Sequence, residues 1–452
     1  MGSNTDPTKR LRDLGRAMAQ ARAWVTLRRA SPAAANDREL FGSTRWVTTH
    51  ATYVELCETK GDPAAPVLAA WVARLLFLRV NAEAELFALA ARETKSVRVT
   101  LPTAAELSIR EVVHRMLAER HADVRHELLS ALSRSSGEAQ ARMREAWLRR
   151  NEIGKRLGLA HADALMCPLP SPADVTALAH AVLAATDDLA AHALGRDGTL
   201  AEAIALAQGH EPPLPWPGRK ATMAGVADAL RGEAGWLDVP DLVLGNAPAP
   251  IAPASLLRAY ARFGAHWADA ASARSLPPPL AHAPSELPRR TLGALVATLL
   301  TFPRFLVKRL GMTRFEAERA RRVIHRTILS AARVSAVRVL LRDPALTGDG
   351  RALTELSREH FGRALGVSYS PSLALVLPRL HETDPSELVA FFEAARLASW
   401  LRERHDDDWY ANHRSVLDLR DRLGRAPALH ASVDDAKAGL AAFVAAATES
   451  LS

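Results

Sequence analysis

The chain has 452 residues, of which 48% are hydrophobic, enough for a large core in one elongated domain or two packed lobes. Its formal net charge is +8 and its pI is about 9.9. The arginines are interleaved with Asp and Glu along the whole chain, as on solvated helix faces, and neither a zinc-finger nor an RNP-like pattern occurs. This composition argues against nucleic-acid binding and favours a mostly helical protein, since Ala, Leu and Arg enter helices at little cost.

The cysteines and the apolar stretches bear on the cellular compartment. Cys57 and Cys167 lie far apart, which argues against a disulfide framework and fits a reducing environment. Residues 1–10 are polar and no apolar signal region follows them. The apolar, uncharged stretches 63–73 and 292–303 are too short to span a bilayer. We therefore expect a soluble, cytoplasmic protein without a transmembrane segment.

The first predicted element is an amphipathic helix over residues 8–30. Apolar residues recur on one stripe of this segment, at Leu11, Leu14, Met18, Ala21 and Val25. The pattern predicts an ordinary terminal helix that packs on the body of the protein. The alternative is that this basic helix docks on a partner or on a membrane surface.

Further helical patterns, a proline-rich centre and a helical C-terminal third follow along the chain. The helices are predicted near 64–92, 104–134, 137–158 and 172–195. Within the proline-rich region, 236–245 is the best strand candidate. The sequence thus predicts a helical N-terminal lobe (1–210), an irregular centre with an edge strand (211–290) and a helical C-terminal lobe (291–452). A cleft is expected at the centre.

The segment LLRAYARFGAHWADA, residues 256–270, has the rhythm of a zinc-peptidase helix. In an H-E-x-x-H helix, two histidines four residues apart bind one metal ion, and the glutamate beside the first is the general base. At the equivalent places this helix has Ala261, Arg262 and Ala265.

The context of this segment resembles the thimet oligopeptidase and oligoendopeptidase F family of zinc metallopeptidases. Four segments occur in the order that the family has them: an Arg- and Glu-rich helix ending in Arg-Leu-Gly, an edge strand with the motif helix, a Glu-Leu-Pro segment, and a tail with an acidic turn and an aromatic pair. They are residues 144–165, 241–267, 285–290 and 388–425.

The resemblance implies a mostly α, elongated, two-lobed clamshell with at most a small β element at the central cleft. It also implies that the metal site has degenerated. The two histidine ligands correspond to Ala261 and Ala265, the general base corresponds to Arg262, and Glu286 alone matches a ligand position. The downstream tyrosine of the family has no convincing match, Tyr369 being the nearest candidate. On this basis we expect no catalytic residue, no bound metal and no cofactor.

The leading hypothesis is a catalytically inactive, metallopeptidase-like protein that binds a peptide or a protein, with an acidic segment as one candidate. Arg262, His266, Glu286 and Tyr369 are its candidate groove residues, and the edge strand over 241–245 could pair with an extended peptide. Arg262 would bind a carboxylate of the partner or, alternatively, pair with Glu286 to fill the vacated metal site. Two other hypotheses remain open: a metal-free enzyme that reuses the cavity, and an unrelated all-helical interaction scaffold.

Overall fold

The chain is built almost wholly from helices in a computed structural model. The structure describes residues 6–30, 40–83, 98–100, 106–159, 172–195, 198–210, 230, 236, 252–271, 276–282, 286–347, 349–377, 380–381, 383–424 and 433–451. Within these residues the strands form one two-stranded antiparallel sheet, so the prediction of a mostly α protein is confirmed.

The first helices form an N-terminal unit with a hydrophobic cluster of its own. Its elements are α1 (Pro7–Ala30), a 3-10 helix (Gly42–Thr48), α2 (His50–Glu58) and α3 (Ala65–Glu83). The apolar stripe predicted for α1 lies in this cluster, with Leu14, Met18 and Ala21 buried. The stripe is therefore used inside the chain, as expected of an ordinary terminal helix, and is not left open for a partner or a membrane.

The middle of the chain contains the small sheet and four helices. The elements are β1 (Arg98–Thr100), β2 (Glu106–Ser108), α4 (Ile109–Ala118), α5 (Ala122–Arg156), α6 (Pro172–Leu194) and α7 (Leu200–Gln208). The prediction of two helices over 104–134 and 137–158 was wrong, because α5 runs unbroken through that junction. Ser136 is accommodated there since its hydroxyl donates a hydrogen bond to the carbonyl of Leu132 one turn earlier.

The C-terminal half is a layered bundle. Its helices are α8 (Pro253–Ala270), α9 (Pro278–Ala281), α10 (Leu287–Thr298), α11 (Pro303–Leu310), α12 (Arg314–Leu340), α13 (Arg342–Thr347), α14 (Gly350–Leu365), α15 (Asp384–His405), α16 (His413–Gly424) and α17 (Val433–Leu451). Helix α12 packs against α6, α7, α11, α14, α15 and α17, so it is the central helix of the core.

Two hydrophobic clusters account for most of the buried side chains. The larger one contains residues from Val112 to Ala447, and the other is that of the N-terminal unit. Helices from both sides of residue 290 share the larger cluster, and the lobe boundaries at 210 and 290 stay predictions. The predicted strand over 236–245 lies outside the described residues except for Trp236. The sheet that the structure does describe belongs to the N-terminal half and not to the centre.

Helix α3 is long and apolar enough to cross a membrane, over the window Ala65–Ala82. In the fold 72% of this window is buried, as in the core helix of a soluble protein. Among the described helices, one bent pair, Leu287–Thr301 with Pro303–Leu310, passes the same test only if it counts as a single span despite an 84° bend.

Candidate functional site

Helix α8 has a buried apolar face and an opposite basic face. It begins at Pro253, whose missing N–H costs nothing at a first helical position. The buried face follows helical spacing and consists of Leu256, Tyr260, Phe263 and Trp267. On the other side Arg258 and Arg262 are exposed and His266 is half-buried. We call these last three residues, which follow one another at intervals of four, the basic face of α8.

An aromatic cluster holds α8 from its apolar side. The ring of Trp236 lies 5.1 Å from that of Trp267 and 6.3 Å from that of Phe263. The Trp236 Nε1–H donates a hydrogen bond of 2.9 Å to the carbonyl oxygen of Tyr410. The helix is therefore fixed to the C-terminal part of the chain. Sequence reasoning missed this role, although an isolated tryptophan in a proline- and glycine-rich segment was a signal for it.

Helices α8 and α10 cross with their backbones in contact, and a glycine from each permits this approach. A Cβ atom at Gly264 would overlap the carbonyl oxygen of Leu292, and one at Gly293 would lie 2.6 Å from the carbonyl oxygen of Ala261. Gly264 is the fourth residue of ARFGA, so the crossing sets the position of the motif helix relative to α10.

Glu286 immediately precedes α10 and its carboxylate is held by two guanidinium groups. Arg74 of α3 donates a hydrogen bond to one oxygen, and Arg289 donates one of 3.2 Å to the other. Arg289 also pairs with Asp269 of α8 at 3.0 Å. We call Arg74, Glu286, Arg289 and Asp269 the ion-pair chain. It joins the N-terminal unit, α10 and α8 at the end of the motif helix.

Packing around Arg74 supports the ion-pair chain. The Arg74 guanidinium lies 5.5 Å from the centre of the Trp71 ring, and the Trp71 Nε1–H donates to the carbonyl oxygen of His282 at 3.2 Å. Sequence reasoning missed Arg74. A charged residue in the middle of an otherwise apolar helix was the available signal, because such a charge needs a partner when it is buried.

The surroundings of Glu286 keep it ionised. Burial of the side chain, which is 18% exposed, would by itself raise its pKa. The positive charges of Arg74, Arg289 and Arg290 oppose this, and the pKa of Glu286 lies below its usual range.

Two histidines near the ion-pair chain are shifted toward the neutral form. Burial lowers the pKa of His266, and the charges of Arg289 and Arg262 lower it further. The pKa of His282 is lowered by burial and then by Arg22 and Arg289. A neutral imidazole can bind a metal ion, yet no group of three or more His, Cys, Asp or Glu side chains in the described ranges is placed to hold one.

Of the four groove residues predicted from the sequence, the structure does not bring Arg262 and Glu286 together. Glu286 is bound by Arg74 and Arg289, and no carboxylate in the described part of the chain lies within ion-pair distance of Arg262. The predicted Arg262–Glu286 pair is therefore absent from this part, because Arg289 occupies the place beside Glu286.

Tyr369 is a core residue and does not line a groove, contrary to its prediction as a groove residue. It is 2% exposed, its ring stacks on Phe361 with centroids 4.4 Å apart, and its hydroxyl donates to the carbonyl oxygen of Leu377. Burial raises its pKa well above the ordinary value. With the hydroxyl already engaged, Tyr369 has no group left for a ligand.

Solved structures of peptidases share this architecture over almost their whole length. Oligoendopeptidase-F from Enterococcus faecium matches with a TM-score of 0.50 at 10% identity, over 98% of each chain. The chain has a peptidase-like fold. A putative peptidase from Chlamydophila abortus gives a TM-score of 0.58 at 11% identity, over 91% of this chain and 83% of its own. Metallocarboxypeptidase 1 from Trypanosoma cruzi gives 0.50 at 15%, over 97% and 96%.

At these identities the likeness concerns the fold alone. No family model matches the sequence, and no curated protein matches it.

Replacing Gly264 by Ala tests the close crossing of α8 and α10. The added methyl group has to displace the backbone at Leu292, and we expect a loss of about 1–3 kcal/mol in the free energy of unfolding, measured by urea denaturation. The control is Gly137→Ala in α5, where a Cβ meets nothing within 4 Å and about 0.5–1 kcal/mol should be gained. Equal effects of the two substitutions would contradict the crossing.

Replacing Glu286 by Gln tests the ion-pair chain. At pH 7 the variant should lose about 1–3 kcal/mol in the free energy of unfolding, since Arg74 and Arg289 lose their ion pairs with the Glu286 carboxylate. The contribution of a carboxylate with a lowered pKa is complete above its unfolded-state pKa and disappears as the pH falls through the folded-state value. The difference between wild type and variant should therefore shrink as the pH falls below the ordinary value of 4.5.

The matched control for this measurement is Glu355→Gln, which breaks an exposed pair with Arg351 on α14. Its effect should stay below about 0.5 kcal/mol. The stabilising role of the ion-pair chain would be contradicted if the Glu286 variant were as stable as this control at pH 7. It would also be contradicted if the difference in unfolding free energy from wild type grew as the pH fell.

Proposed function

We propose that the chain is a peptidase-like protein that has lost metal-dependent catalysis and binds an acidic peptide, or an acidic segment of a protein, along the basic face of α8. We further propose that it acts in the cytoplasm, where two cysteines without a disulfide framework fit the reducing conditions.

The proposal rests on which side chains occupy the positions that correspond to a zinc site. A catalytic zinc site needs three protein donors and an open position. Ala261 and Ala265, which the sequence resemblance assigns to the two ligand positions, offer only methyl groups. The carboxylate of Glu286 is already neutralised by Arg74 and Arg289. These residues do not fit a zinc ion, and we derive no step through one.

The basic face of α8 is suited to anions. Arg258 and Arg262 are one helical turn apart, which places their Cβ atoms about 5–6 Å apart, and their like charges repel each other. The pKa of Arg258 is lowered, first by burial and then by the charge of Arg262, although part of its side chain reaches solvent. Arg258 is thus crowded by surrounding atoms without having an ion pair to a described carboxylate. An acidic ligand would relieve this repulsion and would gain two charge-assisted hydrogen-bond donors.

Metal content is the first test of the lost catalysis. We expect zinc at less than about a tenth of an equivalent in protein purified without a metal-affinity tag, measured by inorganic mass spectrometry, because one carboxylate does not retain zinc against water. Near one equivalent of tightly held zinc would overturn the proposal and would make a hydrolase the working hypothesis.

Peptide binding tests the proposed partner. The probe is a fluorescein-labelled peptide of alternating Glu and Ala, measured by anisotropy, with the corresponding Gln–Ala peptide as the neutral comparison. Arg262→Gln should weaken binding of the acidic peptide about tenfold, as expected for the loss of one charge-assisted contact. Arg358→Gln, which removes the same charge from an exposed position on α14, should change it less than about twofold. If the neutral peptide binds as tightly, or if both variants behave alike, the basic face of α8 is not the site.

A further inference from the structure

A cavity of about 320 Å³ shares no lining residue with the basic face of α8. It is formed where three helices meet: the last turn of α6 with His192, the outer face of α12, and the end of α17 at Leu451. From α12 it receives the side chains of Arg319, Arg322 and Arg326, together with the apolar wall of Val323.

The three arginines lie on one face of α12, at spacings of three and four residues. Like charges at such spacings destabilise a helix unless something neutralises them. Among the described residues, no carboxylate lies within ion-pair distance of Arg319 or Arg322. The positive charge of the cavity is therefore concentrated and, for these two groups, without an internal counter-ion.

Another arginine of the same helix, unlike Arg319 and Arg322, does have counter-ions within the described part of the chain. Arg321 does not line the cavity, and it is paired with Glu449 at 3.0 Å and with Glu318 at 3.7 Å. The carboxylates of Glu318 on α12 and Glu449 on α17 thus bind an arginine outside the cavity. Arg319 and Arg322, which line the cavity, have no ion pair to a described carboxylate and are available to an external anion.

We propose that this cavity binds a small molecule that carries a diphosphate group. A single carboxylate would match one guanidinium fork, whereas a diphosphate presents enough charge and enough acceptor oxygens for several. The volume falls within the range of small-molecule sites, and Val323 and Leu451 give it an apolar side.

Phe315 is the feature that can distinguish a free diphosphate from a nucleoside diphosphate. It precedes Arg319 by one turn, 72% of its surface is exposed, and the Arg319 guanidinium lies 5.9 Å from the centre of its ring. A planar base bound to the arginines through its phosphates could stack on this ring, whereas inorganic diphosphate would not contact it.

The test is isothermal titration calorimetry of the full chain with inorganic diphosphate at physiological salt. We expect a dissociation constant below about 1 mM for the wild type. Arg322→Gln should raise it about tenfold and the double variant Arg319→Gln/Arg322→Gln about a hundredfold, because each substitution removes one charge-assisted contact. Circular dichroism and thermal unfolding establish that these variants are folded.

Two control variants separate this site from general charge effects and from the proposed peptide site. Arg358→Gln and Arg262→Gln remove one positive charge elsewhere, so both should leave the dissociation constant within about twofold. Failure of the wild type to bind diphosphate, or an equal weakening in all single variants, would overturn the proposal. Weakening by Arg262→Gln alone would also overturn it and would assign the anion to the basic face of α8.

Titration with adenosine diphosphate distinguishes the two sources of the diphosphate group. Tighter binding than inorganic diphosphate, with the gain lost in Phe315→Ala, would support a nucleotide. Equal affinities, unaffected by Phe315→Ala, would support free diphosphate.

Discussion

The position of α8 in the fold depends on a carboxylate held between two guanidinium groups. Glu286 connects Arg74 of the N-terminal unit to α10, and Arg289 extends the connection to Asp269 at the end of α8. A guanidinium is charged at every pH at which the protein folds, and its donors have a fixed planar arrangement. Such a cation neutralises a buried carboxylate as a metal ion would, but it provides no open coordination position for water or substrate.

The two faces of α8 are determined by different forces. Packing against Trp236 and the crossing with α10 at Gly264 fix the inner face, where a change of one methyl group matters. The outer face carries Arg258 and Arg262, whose side chains reach solvent, so packing constrains it less than the inner face. The helix therefore presents Arg258 and Arg262 from a fixed backbone, and an anion that bound them would not have to order the main chain.

The sequence predicted the helical class well because periodic apolar residues determine which faces are buried, as for the stripe of α1 through Leu14 and Met18. It also located the motif helix.

The sequence did not predict partners that come from distant parts of the chain. Arg74 lies 212 residues from Glu286, and no local pattern identifies such a pair. Tyr369 was misassigned for a related reason, since a tyrosine in a polar segment is placed in the core by its packing on Phe361. The predicted junction between 134 and 137 was wrong because α5 continues through it, where the Ser136 hydroxyl donates to the carbonyl oxygen of Leu132.

The crossing at Gly264 also bears on how such a protein can change over evolutionary time. Within ARFGA, Phe263 and Gly264 are held by packing, whereas Ala261 and Ala265 are only partly buried and Arg262 is exposed. Under the proposed function, catalytic groups could be erased at these three positions while the helix kept its place. The reverse path is longer. Three substitutions would restore the two histidines and the glutamate of the motif, but Arg74 would still bind the carboxylate of Glu286, so a fourth change on a distant helix would be required. Under this proposal fewer substitutions are needed to lose catalysis than to regain it, because the ion pair between Arg74 and Glu286 would also have to be removed.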